Sequence, residues 1–306
     1  MPYKFNKEME KKIVEIYLNN EITIGGLAKR FGCCDETISS VLKRNNVDRQ
    51  FRWKRARYII TKKRTVPIPE SAKSLTLEKA WILGVLAGDA HLDIKNARII
   101  LESGYKNPDK YFIQIWKDTL EKLYGIKCRP WKRLDKIVGY VLSSRRVADD
   151  LIRYGSFGRY KWIVPSGIFN ANKNIKRFYV CGFFDSEGCV PRNKHEITAK
   201  SVNHEGLEQI KDLLEEFNTH AKITGPHVEK QKRCLKCHKR SSIGKKQCSF
   251  CSSTNLEKVT RKFYLLRICG YMNTKRFFVN IGFRIKRKQN ILKNNLKVIP
   301  KFLRKR

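Results

Sequence analysis

Two acids stand at matching places in a chain that carries 66 Lys and Arg against 28 Asp and Glu. One segment reads Ile82-Leu83-Gly84-Val85-Leu86-Ala87-Gly88-Asp89-Ala90. The other reads Val180-Cys181-Gly182-Phe183-Phe184-Asp185-Ser186-Glu187-Gly188. Each is an apolar helical stretch with a glycine in third place and an acid in eighth. Gly84 and Gly88 lie four apart on one helix face, as do Gly182 and Ser186, so two such helices can pack closely. Close packing brings Asp89 and Glu187 together. Two adjacent carboxylates repel, and here they sit where a phosphate is expected. A divalent cation resolves both problems, since hard cations take carboxylate oxygens and can bridge to a phosphate and activate water. A lysine recurs in each half as well. Tyr154-Gly155 lies seven residues before Lys161, and Ile281-Gly282 lies seven before Lys288. Lys161 and Lys288 are therefore candidates to stabilise charge on a phosphate or to orient water.

The spacing of these pairs reveals a duplication. Asp89 to Lys161 spans 72 positions and Glu187 to Lys288 spans 101, and the difference equals the 29 residues of 230–258. The second half thus reads as the first with one insertion, two copies of a unit about an approximate twofold axis. The insertion holds Cys234-x2-Cys237 and Cys248-x2-Cys251, two knuckles able to give Zn²⁺ four thiolates. Two disulfides or four spare thiols are the alternative. Between the knuckles lie Lys236, Lys239, Arg240, Lys245 and Lys246, which suit contact with DNA, while His238 reads as a surface residue. The remaining cysteines, Cys33, Cys34, Cys128, Cys181, Cys189 and Cys269, suggest no disulfide framework and an intracellular, reducing compartment.

The elements that must position these groups follow from periodicity. Residues 5–47 read as short helices, the last with Asp35 as N-cap and Ile38, Val41 and Leu42 inward. A Gly-containing turn between the helices makes this a helix-turn-helix, with Thr37, Ser39, Ser40 and Lys43 facing the major groove; a plain packing hairpin is the alternative. Residues 49–73 form a basic linker. Arg52, Lys54, Arg55 and Arg57 lie in a run without an acid, either solvated or tracking DNA. The first half spans 74–173 and the second 174–306. Helices are expected over 77–88, 109–124, 145–154, 174–186, 203–217 and 273–280, with strands at 97–101, 127–134, 137–143 and 195–201. Lys132 and Arg133 fall on a hairpin whose outer, basic face suits DNA. From Arg284 onward, ten Lys or Arg and no acid suggest a basic tail.

A formal charge of +38 points to a polyanionic partner, nucleic acid first, with ribosomal or anionic-membrane binding as alternatives. No apolar run approaches the ~20 residues that span a bilayer, and the N-terminus lacks a secretory core. The expected fold class is α+β.

At Leu83–Asp89 and Gly182–Gly188 the chain resembles the LAGLIDADG homing endonucleases, over about residues 75–300 apart from the insertion. Two motifs in one chain resemble the monomeric, pseudo-symmetric branch. The resemblance implies an αββαββα fold per half, sheets forming a saddle on a long asymmetric double-stranded DNA site, and Mg²⁺ held by Asp89 and Glu187. It places Lys161 and Lys288 at the basic active-site positions. Ala90 departs from the usual Gly. The expected function is site-specific DNA cleavage that promotes intron homing, by an intron-encoded or free-standing enzyme rather than an intein. The rivals are an intron-RNA maturase and a non-cutting DNA-binding regulator.

Overall fold

The computed structural model describes residues 5–19, 22–47, 66–104, 108–133, 136–158 and 160–300. The expected DNA-contact residues Arg52, Lys54, Arg55 and Arg57 lie outside these. The chain forms two compact units, Met1–Pro67 and Ile68–Arg306.

The first unit is three helices, α1 (Lys7–Asn19), α2 (Ile24–Phe31) and α3 (Asp35–Arg44). Thr23 Oγ1 accepts the Gly26 N–H at 3.0 Å and starts α2, and Gly32 ends it in the left-handed region at φ 61°. Glycine adopts that region without the penalty a Cβ imposes. Ile13, Tyr17, Leu27, Ile38, Val41 and Leu42 form the core. Three expectations need correction. Met9 is exposed, and Phe5 fills the core instead, edge-on to Phe31. Cys34 occupies the N-cap position of α3, with Asp35 in the first turn, where its charge still meets the positive helix end. Ser39 is buried, three residues before buried Leu42 and so on the same inward side of the helix. Ser40 and Lys43 are exposed and Thr37 is half-buried.

The second unit repeats one plan. Its first half runs α4 (Leu77–Leu86), β1 (Ala90–Asp93), β2 (Arg98–Glu102), α5 (Lys110–Tyr124), β3 (Arg129–Arg133), β4 (Lys136–Ser143) and α6 (Arg145–Ile152). A short helix α7 (Ser166–Phe169) leads into the second half. That half runs α8 (Lys173–Glu187), β5 (Gly188–Cys189), β6 (Glu196–Ser201), α9 (His204–Glu215), β7 (Lys222–Cys234), β8 (Arg240–Ser242), β9 (Leu256–Cys269) and α10 (Tyr271–Asn280), followed by α11 (Lys286–Asn295). The sheets are antiparallel, ordered β1-β2-β4-β3 and β5-β6-β9-β7-β8. Apart from β8, contributed by the insertion, both halves are αββαββα, the mixed α and β architecture expected. Ala90 starts β1 opposite Leu101 as Gly188 starts β5 opposite Ala199, so alanine serves the same turn.

Alternation sets the faces. Ile99 and Leu101 of β2 are buried while Arg98, Ile100 and Glu102 point away from the core; in β6, Ile197 and Ala199 are buried while Glu196, Thr198 and Lys200 point away. One hydrophobic core joins the two halves, with Trp81, Trp116, Tyr179, Phe183, Phe184 and Phe277 as its largest members. The expected C-terminal tail is corrected in part: residues 286–295 are helical, and Lys288, Leu292 and Asn295 are buried.

Candidate active site

The site begins with the packing of α4 on α8. A Cβ on Gly84 would collide with the Tyr179 carbonyl, and one on Gly182 with the Trp81 carbonyl. Each glycine therefore lets the opposing backbone into its own helix surface. A Cβ on Gly88 would fall 2.7 Å from Ser186 Cβ and 3.1 Å from Glu187 Cγ, so the contact runs to the ends of both helices. The acids are placed there: Asp89 just past α4, Glu187 as the last residue of α8. Both line one cleft of about 530 Å³, together with His91, Lys200, Gln231 and Arg261.

The electrostatics of this point differ from those of the chain around it. Two helix C-termini converge, and each presents the negative end of its dipole. Asp89 reaches solvent through the cleft but is ringed by protein atoms, and that desolvation raises its carboxyl above the ordinary range, against the pull of the Lys288 ammonium. A carboxyl held up in this way, beside a second acid and two dipole ends, fits an oxygen-seeking divalent cation.

The two lysines are placed differently. Lys288, in α11, is buried, and its Nζ donates to the carbonyls of Phe184 at 3.1 Å, Asp185 at 2.6 Å and Ser186 at 3.2 Å. An ammonium has three hydrogens, and three carbonyls of the last turn of α8 take them. Burial lowers its pKa, while Asp185 and Asp89 support its charge. Lys161 instead sits exposed in a turn, just before Trp162, whose ring lines the cleft. Equal sequence spacing thus does not give equal surroundings, because α11 has no helical counterpart around Lys161.

Asp185 carries structural weight that its place in the motif did not reveal. It is buried, and its carboxylate accepts Trp81 Nε1 at 2.8 Å and the backbone N–H groups of Arg284 at 3.1 Å and Ile285 at 3.2 Å. Arg284 in turn lies over the Trp81 ring at 4.3 Å. One carboxylate therefore ties α4, α8 and the start of α11 together. Lys200, Gln231 and Arg261 were also missed. Alternation in β6 could have placed Lys200, but Gln231 and Arg261 reach the cleft only through the long pairing of β7 with β9.

In the first half, Lys132 is exposed and Arg133 pairs with Glu102 at 2.8 Å on the sheet face away from the core. In the insertion, the Sγ atoms of Cys234, Cys237, Cys248 and Cys251 all lie within 4.8 Å of one another. Cys234 and Cys251 stand 3.5 Å apart, as do Cys237 and Cys248. Thiolates about 2.3 Å from a tetrahedral Zn²⁺ are ~3.8 Å apart, so the cluster fits that ion. The backbone N–H of Cys237 leads the causes that hold the Cys234 thiol down at about 6, near its metal-binding form. The Phe250 N–H points at Cys248 Sγ at 3.4 Å. His238 is exposed and outside the cluster.

Comparison with known proteins finds the following similarities. Residues 174–282 match the family described as LAGLIDADG-like domain. An uncharacterised protein of Methanocaldococcus jannaschii is 26% identical over 226 residues, 73% of each chain. The ribonucleoside-diphosphate reductase NrdEB subunit alpha of Bacillus subtilis is 28% identical over 44% of this chain but only 14% of its own length. The ATP-dependent DNA helicase Hel308 of Methanocaldococcus jannaschii is 25% identical over 78% of this chain and 18% of its own. Among solved structures, the homing endonuclease I-DmoI is similar with a TM-score of 0.44 at 14% identity, over 74% of this chain and all of that one. DUF199/WhiA from Thermatoga maritima is similar with a TM-score of 0.43 at 14% identity, over 78% of this chain and 66% of that one. The second half of the chain carries a LAGLIDADG-like domain.

Proposed function

We propose that the protein is a metal-dependent endonuclease that cuts both strands of duplex DNA at a specific site. The observation that carries this reading is the convergence of Asp89 and Glu187, each at a helix C-terminus, in one cleft of a chain with net charge +38. A duplex held by the surrounding lysines and arginines would bring its phosphates to a point where two carboxylates and two helix C-termini meet. Mg²⁺ bound there would supply Lewis-acid stabilisation and a water of lowered pKa. Asp89 and Glu187 would hold the ion. Lys288 fixes the last turn of α8, and so the position of Glu187. Lys161, exposed in the turn next to the cleft-lining Trp162, would be the basic group for the first half. Zn²⁺ on the four cysteines has no open place and serves folding.

Intron or gene homing fits as the role of the cut. The matching segment occupies 14% of a reductase subunit and 18% of a helicase, so similar modules are carried inside proteins of unrelated chemistry. A second reading, DNA binding without cutting, draws on Lys288, whose hydrogens are all committed to carbonyls. Incubation with duplex DNA spanning candidate uninterrupted host sites, with Mg²⁺ or with EDTA, separates the two. Cutting that needs Mg²⁺ and disappears in Asp89→Asn and Glu187→Gln, with binding kept, supports the nuclease. Strong binding with no cutting of any site establishes the regulator.

A further inference from the structure

β7 and β9 run on past the sheet. The β6–β9 pairing ends at Ser201–Tyr264, yet β7 and β9 stay paired from His227–Phe263 to Cys234–Leu256. Seven residue steps make an arm of roughly 24 Å that ends in the cysteine cluster. Its two faces differ in kind. One face continues the sheet surface that lines the cleft. On it Glu229 stands opposite Arg261, Gln231 opposite Val259 and Arg233 opposite Glu257. Its charges are matched, Arg233 with Glu257 and Glu229 with Lys200 at 3.0 Å, and its residues are intermediate in exposure except Arg233. The opposite face carries Val228 opposite Lys262, Lys230 opposite Thr260 and Lys232 opposite Lys258. It has four lysines and no acid. All six residues but Lys232 are exposed. Among the described residues no carboxylate pairs with Lys230, Lys258 or Lys262.

Like charges directly opposite on a ladder destabilise it. A solvated face needs only scattered charge, and the same two strands show on their other side how opposite charges are matched. The one-signed face is therefore built for an anion supplied from outside. We propose that this outer face of the arm binds a second segment of duplex DNA, separate from one lying in the cleft. Duplex is favoured over single strands because this face offers no aromatic ring on which unpaired bases could stack. Lysine point charges on a flat ladder suit a phosphate backbone read without sequence. The two faces of one ladder point in opposite directions, so a straight duplex on one cannot reach the other. The protein would then bridge two DNA segments, whether or not it cuts either.

A two-duplex capture assay on the full chain tests this. Protein is loaded onto a bead-bound 40-base-pair duplex and washed, and a fluorescent duplex of unrelated sequence is added. Wild type should retain the second duplex. The combined Lys230→Gln, Lys232→Gln, Lys258→Gln, Lys262→Gln variant should retain at least about tenfold less, since each lost phosphate contact also removes ~0.9 from the salt slope. Its capture on the first duplex and its circular dichroism should stay unchanged, and replacing the same four lysines with arginine should restore retention. Equal retention by wild type and the glutamine variant overturns the proposal. So does retention of a labelled single-stranded RNA in place of the duplex. Because no cleavage is read, failure here is distinct from failure of the nuclease reading.

Discussion

The two halves of the second unit share a topology but anchor their central helices in different ways. In the first half, α4 is held near its start. Lys79, fully buried, pairs with Asp150 at 2.7 Å and also donates to the Ala72 carbonyl, and Asp150 accepts Tyr124 Oη at 2.9 Å. In the second half, α8 is held at its end, where Lys288 takes three carbonyls and Asp185 takes two backbone N–H groups. What both halves keep is steric: glycines facing the opposing backbone, and an acid one turn beyond. At Gly84 and Gly182 a Cβ would meet the opposing backbone, so side-chain size is restricted there, whereas a buried polar anchor can be rebuilt from other residues. The duplication has therefore been conservative at the helix contact and free around it.

The largest break in this comparison is confined to one half. Metal bound by a structural four-cysteine site contributes on the order of 10 kcal/mol to local folding. A strong zinc chelator, or Cys234→Ser, should abolish hydrogen-exchange protection over residues 234–256 and leave α4 and α8 protected. Cys234 and Cys248 lie outside the main core cluster, which is why the loss should stay local. Collapse of protection in α4 would show that the insertion supports both halves.

Next come the anchors. Asp150→Ala strands the Lys79 ammonium in the core, a loss of about 3–5 kcal/mol. Lys288→Met leaves carbonyls of α8 without partners, about 1–3 kcal/mol. Denaturant melts should rank the two in that order. The reverse ranking would mean that the helix-end anchor dominates and that Lys288 is chiefly a folding residue. If the order holds, metal-dependent cutting should still fall in Lys288→Met at temperatures where the variant is folded, because Glu187 loses its fixed helix end. The glycines follow. Gly84→Ala and Gly182→Ala should each cost about 1–3 kcal/mol by overpacking, with similar values, since each Cβ meets a carbonyl of the partner helix. A clear inequality in thermal melts would show that one helix can shift and the other cannot.

Much of this organisation could be read from residue order, and the reasons for the gaps are physical. The helix pair, the acids and the cysteine cluster were legible because their constraints are local: small residues four apart on each helix, and cysteines three apart in each knuckle. β1 and β5 went unnoticed, at four and two residues too short for alternation to show. α11 was hidden by its composition. Lys286, Arg287, Lys288 and Lys293 make Lys286–Asn295 look like a tail, yet the helix buries Lys288 by giving its charge to carbonyls. Ser39 was misplaced because polarity stood in for exposure. The equivalence of Lys161 and Lys288 rested on counting, and counting does not register that one segment is a turn and the other a helix. Gln231 and Arg261 join the cleft through strand pairing across more than twenty residues of intervening chain, which no local pattern encodes.

The smallest expected effect addresses the sheet faces turned away from the core. Arg133 pairs with Glu102 at 2.8 Å in the first half, and Arg267 with Glu196 at 2.6 Å in the second. Partly exposed pairs of this kind contribute roughly 0–1 kcal/mol, so Glu102→Gln and Glu196→Gln should leave the melting curves almost unmoved. Their effect belongs to binding. Each substitution frees an arginine for phosphate, and each new phosphate contact steepens the salt dependence of duplex binding by about 0.9. Measured across a salt series, both variants should bind more tightly at low salt, by similar amounts, if the duplex lies symmetrically over the two sheets. A gain from Glu102→Gln alone would place the duplex over the first sheet only and leave the second, with its long arm, to other contacts. No gain from either would remove both outer sheet faces from the DNA interface.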